Sequence, residues 1–419
     1  PVDKLGQDKI LHEIFDELPA SNPLWRADIY LKNTLDFISE CKRALLSPDD
    51  IRIIANSNKQ FIERASNITM QYIPAFPRVN KQVVNYFIDL LEQINPVISE
   101  QKLPARIKPL SELFYNDLSS AIAEYNETNK TTPITKFKNK WLEKNNQNQW
   151  ILQGKRDIYK LQGGADIYEK YLTALHKNKL FDYDDMIMRA IHGLEQNDDL
   201  RYSLHEQYLY IMLDEFQDTN LAQLRLVELL TNNPVHDCQP NILAVGDDDQ
   251  AIFSFQGAEL GNMVKFTEMY KHVSIITLTD NYRSHADILH TAHNIAQNID
   301  ERLTTTLGKG DKILSAKNPN ITSAKITRQH FKSDIAQYDW VAKQVDKLIK
   351  NGTPASEIAI LAPKHKYIEP LVPYMMAKNI PIRYDKRENV LEDKYIVEII
   401  NMAQLVMAIA DNNFAAANS

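Results

Sequence analysis

Long apolar runs and cysteines are both scarce in this chain of 419 residues. No stretch is long enough to span a bilayer, and the opening PVDKLGQDKI lacks the apolar core of a signal peptide, so nothing points to a membrane. The two cysteines, Cys41 and Cys238, lie far apart and carry no metal-ligand spacing. They fit a reducing, cytoplasmic compartment. A phosphate-wrapping loop of the form G-x-x-x-x-G-K-[ST] is missing too. LGKGDK (307–312) has the wrong spacing and no preceding strand, and LQGGAD (161–166) lacks the lysine.

What is present is ordinary for a globular protein of two or three domains, with 44% hydrophobic and 25% charged residues. The net charge of −7 argues only weakly against a nucleic-acid partner, because binding depends on local patches. The chain starts at Pro1 without a methionine and stops at DNNFAAANS, just after a strongly helical stretch. It is therefore expected to be a piece of something longer.

The first part reads as helix. Ile10, Leu11, Ile14, Phe15 and Leu18 share one face at helical spacing, as do Val84, Phe87, Ile88 and Leu91. Stops fall at Ser47-Pro48-Asp49 and Asn95-Pro96, and no strand is expected before about residue 205. Then the texture changes. LYIML (209–213), NILAVG (241–246) and VSIITL (273–278) are short apolar runs, each followed by a polar cluster and a helical pattern. That is the pattern of a parallel sheet covered on both faces, in which ligands sit beyond the carboxyl ends of the strands. The clusters DEFQDTN, DDDQ and TDNYRS all fall there, which points to one shared site. A second α/β unit follows: a helix closed by Gly352, a strand at EIAILAP (357–363), a helix, and a strand at PIRYD (381–385).

An apolar strand ending in Asp214 and Glu215 can hold Mg²⁺ near a nucleotide and orient an attacking water, although two acids also suit the positive end of a helix. Gln250, after Asp247, Asp248 and Asp249, can both donate and accept, which suits it to sensing a γ-phosphate or a water. Arg283 can fork onto phosphate oxygens and Tyr282 can lie against a purine ring. Phe253 and Phe255 can stack on unpaired bases or simply pack a core. Between 130 and 160, Lys130, Lys136, Lys138, Lys140, Lys144, Lys155, Arg156 and Lys160 are interleaved with Phe137, Trp141 and Trp150. Such a stretch is either a backbone-tracking nucleic-acid surface or a solvated helix face with Trp141 in the core.

Taken together and in this order, DEFQDTN, VGDDDQAIFSFQGA and NYRS resemble the UvrD/Rep family of superfamily 1 DNA helicases, as its Walker B motif II, motif III and motif IV. The likeness extends through TLDFISECKRALLSPDDI (34–51), IYEKYLTALHKNKLFDYDDMI (167–187) and 358–385. It implies an α/β fold of RecA-like parallel-sheet motor domains with a large α-helical insertion. The insertion would occupy 1–160, part of the first motor domain 161–278, and part of the second 279–419. It also implies an ATP- and Mg²⁺-dependent helicase, generally moving 3′ to 5′, that works on single-stranded DNA and single-strand/duplex junctions at the nucleoid.

By the same resemblance, Asp214 binds Mg²⁺ and Glu215 is the catalytic base. Gln250 contacts the γ-phosphate or the attacking water, Arg283 steadies the transferring phosphoryl group, and Tyr282 stacks on adenine. Phe255 stands where the family usually carries a DNA-stacking Trp. Gln256, Ser254 and Asp280 depart from the usual Arg, Gly and Gln. Pro363-Lys364 replaces a Tyr-Arg pair, which leaves Lys364 a point charge for a phosphate of the DNA. The family's insertion approaches duplex DNA, which makes Lys138 and Lys140 candidate contacts. The family's phosphate loop would precede Pro1, and its motifs V and VI would follow Ser419. Two other readings stay open: a motor-dead relative that binds DNA or a partner, and a Mg²⁺-dependent nuclease built on the acids.

Overall fold

A computed structural model describes residues 1–25, 30–94, 103, 107–233, 235, 240–251, 261–270, 272–299, 312–321, 324–384 and 394–410. The chain divides into two compact units, Pro1–Thr322 and Ser323–Ser419.

The first unit opens with α1 (Lys4–Asp16), α2 (Leu31–Arg43), α3 (Pro48–Tyr72), α4 (Lys81–Ile94), α5 (Leu110–Thr128) and α6 (Thr132–Trp141). A hairpin of β1 (Leu142–Lys144) and β2 (Trp150–Leu152) precedes α7 (Lys155–Lys177), α8 (Tyr183–Gln196) and α9 (Asp198–Gln207). Then come β3 (Ile211–Leu213), α10 (Leu221–Thr231), β4 (Ile242–Ala244), α11 (Gly261–Met269), β5 (Asp280–Asn281), α12 (Ala286–Ala296) and β6 (Ser315–Ala316).

Local chemistry sets the helix starts. Ser47 caps α3 in a reciprocal box with Asp50, and Pro48 takes the first helical position, where its missing N–H costs nothing. Asp182–Asp185 and Asn220–Gln223 form the same box at α8 and α10.

Two helical cores follow. One gathers apolar side chains of α3, α4, α5, α6 and the hairpin around Phe61, Phe87, Phe114 and Phe137. Phe114 meets Phe137 and Trp141 edge-on at 5.1 and 5.2 Å. Full burial of one such ring stabilises the fold by about 1.5–3 kcal/mol. The other core packs Ile10, Leu11, Ile14 and Phe15 of α1 against Ile38 and Cys41 of α2 and Tyr168 and Tyr171 of α7. The α1 face is the one the periodicity predicts. In α4, Val84 and Phe87 are buried, while Ile88 and Leu91 are only partly covered. Asn95-Pro96 lies outside the described residues.

Between α2 and α8 sits a buried ion cluster. Lys42 Nζ donates to Asp182 at 2.5 Å and to Asp185 at 2.7 Å, with all three residues nearly sealed from water. Burial and neighbouring Glu40 push the Cys41 thiol up to about 12, which leaves it protonated at neutral pH. Cys41 is therefore expected to resist a thiol reagent in the native chain and to react once urea unfolds it. Mass spectrometry of the labelled protein checks this.

Several strand expectations need correction. β1 and β2 form before residue 205, joined by a turn in which Asn148 adopts φ 60°. β3 and β4 do pair in parallel as the apolar runs predict, but only one face is covered. Leu213, Ile242 and Ala244 pack on Phe216, Leu224 and Phe266, whereas Met212 and Leu243 are 77% and 54% exposed. VSIITL (273–278) forms no ladder, and neither do 357–363 or the described part of PIRYD. A strand exists only where a neighbour takes its N–H and C=O groups, and these runs have no such neighbour among the described residues.

The second unit holds α13 (Asp334–Lys350), α14 (Val372–Met376) and α15 (Lys394–Ala410). Ser333 caps α13 and Gly352, at φ 97°, closes it. Ile358 and Ile360 lie against Ala342, Val345, Leu371 and Met375 without forming a strand.

Candidate nucleotide site and nucleic-acid surface

The parallel ladder continues past both strands: Val245 N donates to Leu213 O at 2.8 Å, and Phe216 N donates to Val245 O at 2.9 Å. The segments beginning at Asp214 and at Gly246 therefore leave the sheet side by side. Glu215 sits in the left-handed region at φ 48°, an uncommon conformation for a residue with a Cβ and one often found at functional turns. Its own N–H donates to Asp214 Oδ1 at 2.9 Å. Buried Phe216 anchors the turn against Phe266.

Gln217, which received no role from sequence, joins the two segments. It is 2% exposed, donates through Nε2 to Glu215 Oε2 at 2.7 Å, and accepts from the Asp247 N–H on Oε1 at 3.0 Å. Position 246 has to be glycine for this to happen, since a Cβ there would come within 2.7 Å of Gln217 Oε1. Gln250 in turn donates to Asp247 Oδ2 at 2.7 Å. Glu215, Gln217, Asp247 and Gln250 are thus one hydrogen-bonded chain.

Lys312 completes the acidic side. Its ammonium donates to Asp247 Oδ1 and lies 3.3 Å from Asp248 and 3.7 Å from Asp249. Burial pushes the Asp247 carboxyl up, but hydrogen bonds from Lys312 and Gln250 outweigh it and hold the group below its ordinary range. Lys312 is likewise desolvated, yet the three carboxylates hold its pKa above the ordinary lysine value. These acids are close enough together to hold a cation, and the ammonium of Lys312 is the cation they hold. Asp214 differs: it is exposed, and Oδ2 has no hydrogen bond among the described residues. An exposed carboxylate at a strand end is a residue type that could help to hold Mg²⁺.

Arg283 and Tyr282 follow β5, which pairs in parallel with β6. Asn281 Oδ1 accepts from the N–H groups of Arg283 and Ser284 at 3.0 and 2.8 Å, which sets the turn. Both side chains are exposed, and no hydrogen bond or ion pair among the described residues joins the Arg283 guanidinium to Glu215 or Gln250. Phe255, with Phe253, Ser254 and Gln256, lies outside the described residues. Lys364 is exposed in the second unit at the start of a 3-10 turn.

In the basic stretch, both tryptophans are core residues, each 8% exposed, so neither offers a face to a base. Lys138 and Lys144 lie over the Trp150 ring at 5.3 and 5.1 Å, and Lys140 over Trp141 at 5.5 Å. Lys140 also pairs with Asp117 at 2.5 Å. The charges of Lys136, Lys140, Lys144, Lys155, Arg156 and Lys160 remain at the surface.

Residues 55–271 match the UvrD/REP helicase N-terminal domain, and residues 276–417 match the UvrD-like helicase C-terminal domain. The chain belongs to the UvrD/Rep helicase family. Membership carries a RecA-like α/β fold for the strand-bearing part. The chain is 32% identical over 240 residues to the ATP-dependent DNA helicase PcrA of Staphylococcus epidermidis, covering 56% of this chain and 30% of that protein. It is 33% identical over 202 residues to a probable DNA helicase of Mycoplasma pneumoniae, covering 48% of this chain and 36% of that protein. It is 28% identical over 236 residues to PcrA of Staphylococcus aureus, covering 56% of this chain and 30% of that protein. The chain thus spans about a third of the length of the curated relatives it matches. No helix among the described residues is long and apolar enough to cross a membrane.

Proposed function

We propose that the chain supplies the Walker B, motif III and motif IV segments of an ATP-dependent DNA helicase that moves 3′ to 5′ on single-stranded DNA and opens duplex at a junction. In this reading, residues 1–160 are the helical insertion, 161–278 part of the first RecA-like motor domain and 279–419 part of the second. The observation that carries it is the hydrogen-bonded run from Glu215 through Gln217 and Asp247 to Gln250, at the carboxyl ends of two parallel strands. A base and a sensor coupled in this way can respond to a single phosphate.

Glu215 takes the proton of the attacking water, with its carboxylate aimed by Gln217. Gln250 reports the γ-phosphate to the loop that begins at Asp247, and Arg283 offsets the charge of the transferring phosphoryl group. Tyr282, exposed beside it, stacks on adenine. Asp214 would hold Mg²⁺, which when bound offsets phosphate charge. Phe255 and Lys364 contact the DNA strand. The test is ATP hydrolysis with Mg²⁺, with and without single-stranded DNA, and separation of a 3′-tailed duplex by the complete helicase that carries this chain. DNA-stimulated turnover with strand separation is the expected result; DNA binding without turnover overturns the motor reading.

The DNA surface has its own test. Lys138→Glu and Lys140→Glu are each expected to weaken binding to a tailed duplex across all sequences and to lower the salt slope by about one. Fluorescence anisotropy at several salt concentrations measures both. Unchanged affinity at low salt removes this surface from the account.

A further inference from the structure

The segment 312–318 touches both halves of the site. At its start Lys312, whose side chain is only 14% exposed, has its ammonium held by Asp247, Asp248 and Asp249. Three residues later β6 pairs with β5: Ser315 N donates to Thr279 O at 2.8 Å and Lys317 N to Asn281 O at 2.7 Å. Beyond that, Asn318 Nδ2 donates to the Tyr282 carbonyl at 2.8 Å. Asp247 meanwhile is the point where the Gln217 amide and the Gln250 amide converge.

We propose that Lys312 is a positioning residue, and that the strap 312–318 couples the sensor loop Asp247–Gln250 to the β5 segment carrying Tyr282 and Arg283. The coupling rests on the functional reading above for its consequence, but not for its existence. The sensor loop and the arginine-bearing turn are separated by some thirty positions in the sequence, and this strap bonds to both. A shift of Asp247 drags Lys312, and β6 carries that shift to β5 as one hydrogen-bonded ladder. Lys312 never touches a nucleotide. It sets where Arg283 stands when Gln250 moves.

Hydrogen exchange on the 419-residue chain tests the linkage without nucleotide. Lys312→Met is expected to accelerate exchange at the Asp247 amide and at the Ser315 and Lys317 amides together, and Lys312→Arg to restore much of the protection. Asn318→Ala, milder and at the far end, is expected to loosen the Ser315 and Lys317 amides and leave Asp247 protected. Acceleration at one end only in Lys312→Met overturns the strap, as does failure of Lys312→Arg to restore protection.

In the complete helicase, Lys312→Met is expected to lower kcat for ATP on the order of tenfold to a hundredfold with KM little changed, because misplacement rather than binding is the defect. Lys312→Arg recovers most of it. An unchanged kcat overturns the functional half of the proposal. A wild-type helicase that hydrolyses no ATP sinks the nucleotide reading instead, and the exchange data then decide the strap alone.

Discussion

Replacing Lys42 with methionine is expected to lower the stability of the first unit by about 3–5 kcal/mol. The reason lies in the saturation of the cluster. Asp182 Oδ1 accepts from the Asp185 N–H at 2.8 Å while Oδ2 takes Lys42 and, at 3.3 Å, the Tyr171 hydroxyl. Asp185 Oδ2 accepts from the Asp182 N–H at 3.1 Å and Oδ1 takes Lys42. Every carboxylate oxygen is used, and one ammonium balances two acids. Methionine fills the space of the stem but leaves two buried carboxylates without a cation. That state is far costlier than the intact cluster is stabilising.

Urea denaturation gives the size of the loss. Adding Asp182→Asn and Asp185→Asn to Lys42→Met is expected to recover much of the stability, since the uncompensated charge then disappears while the amide oxygens keep the helix cap. If the single variant loses less than about 1 kcal/mol, the cluster is exposed in solution and α2 does not pack closely against α8 there.

Glu215→Gln is expected to reduce ATP turnover by the complete helicase at least about a hundredfold while leaving nucleotide affinity nearly unchanged. The amide keeps the shape, and one of its atoms can still meet Gln217, so the backbone strain at φ 48° remains supported. What is lost is the capacity to take a proton. Single-turnover hydrolysis alongside binding of a fluorescent ATP analogue separates the two effects. Loss of binding in parallel with turnover would make the residue a structural support of the turn.

How much of this was legible in the sequence depends on the range of the interaction. Local devices were readable: Gly352 closing α13, the α1 face of Ile10, Leu11, Ile14 and Phe15, and a helix boundary at Ser47-Pro48-Asp49, which reads as a stop but in the structure opens α3, α2 having already ended at Arg43. So were β3 and β4, whose apolar runs end together at acids. Apolar composition predicts strands at 273–278 and 357–363, but a ladder belongs to two segments and neither run finds a second among the described residues. The β1–β2 hairpin was missed because Trp150-Ile151-Leu152 is too short to show an alternation.

Trp141 reads equally well as a DNA contact or a core residue, whereas Trp150 reads only as one of the aromatics among the lysines; Phe114 against Trp141 and Phe76 stacked on Trp150 place both in the core. Within the site, the acids and Gln250 stood out because charge at a strand end is conspicuous. Gln217 was hidden inside the same motif as an ordinary polar residue. Lys312 pairs with a residue 65 positions away, in a segment set aside for having the wrong glycine spacing, and no local pattern signals such a contact.

The central claim is that Glu215, Gln250 and Arg283 face one triphosphate. A crystal structure of the complete helicase with Mg²⁺ and a non-hydrolysable ATP analogue tests it most directly. The Glu215 carboxylate and the Gln250 amide are expected within hydrogen-bond reach of the γ-phosphate or its attacking water, and the Arg283 guanidinium on the γ-phosphate oxygens. A nucleotide bound with Arg283 turned toward solvent, or with Glu215 facing no water, would contradict it.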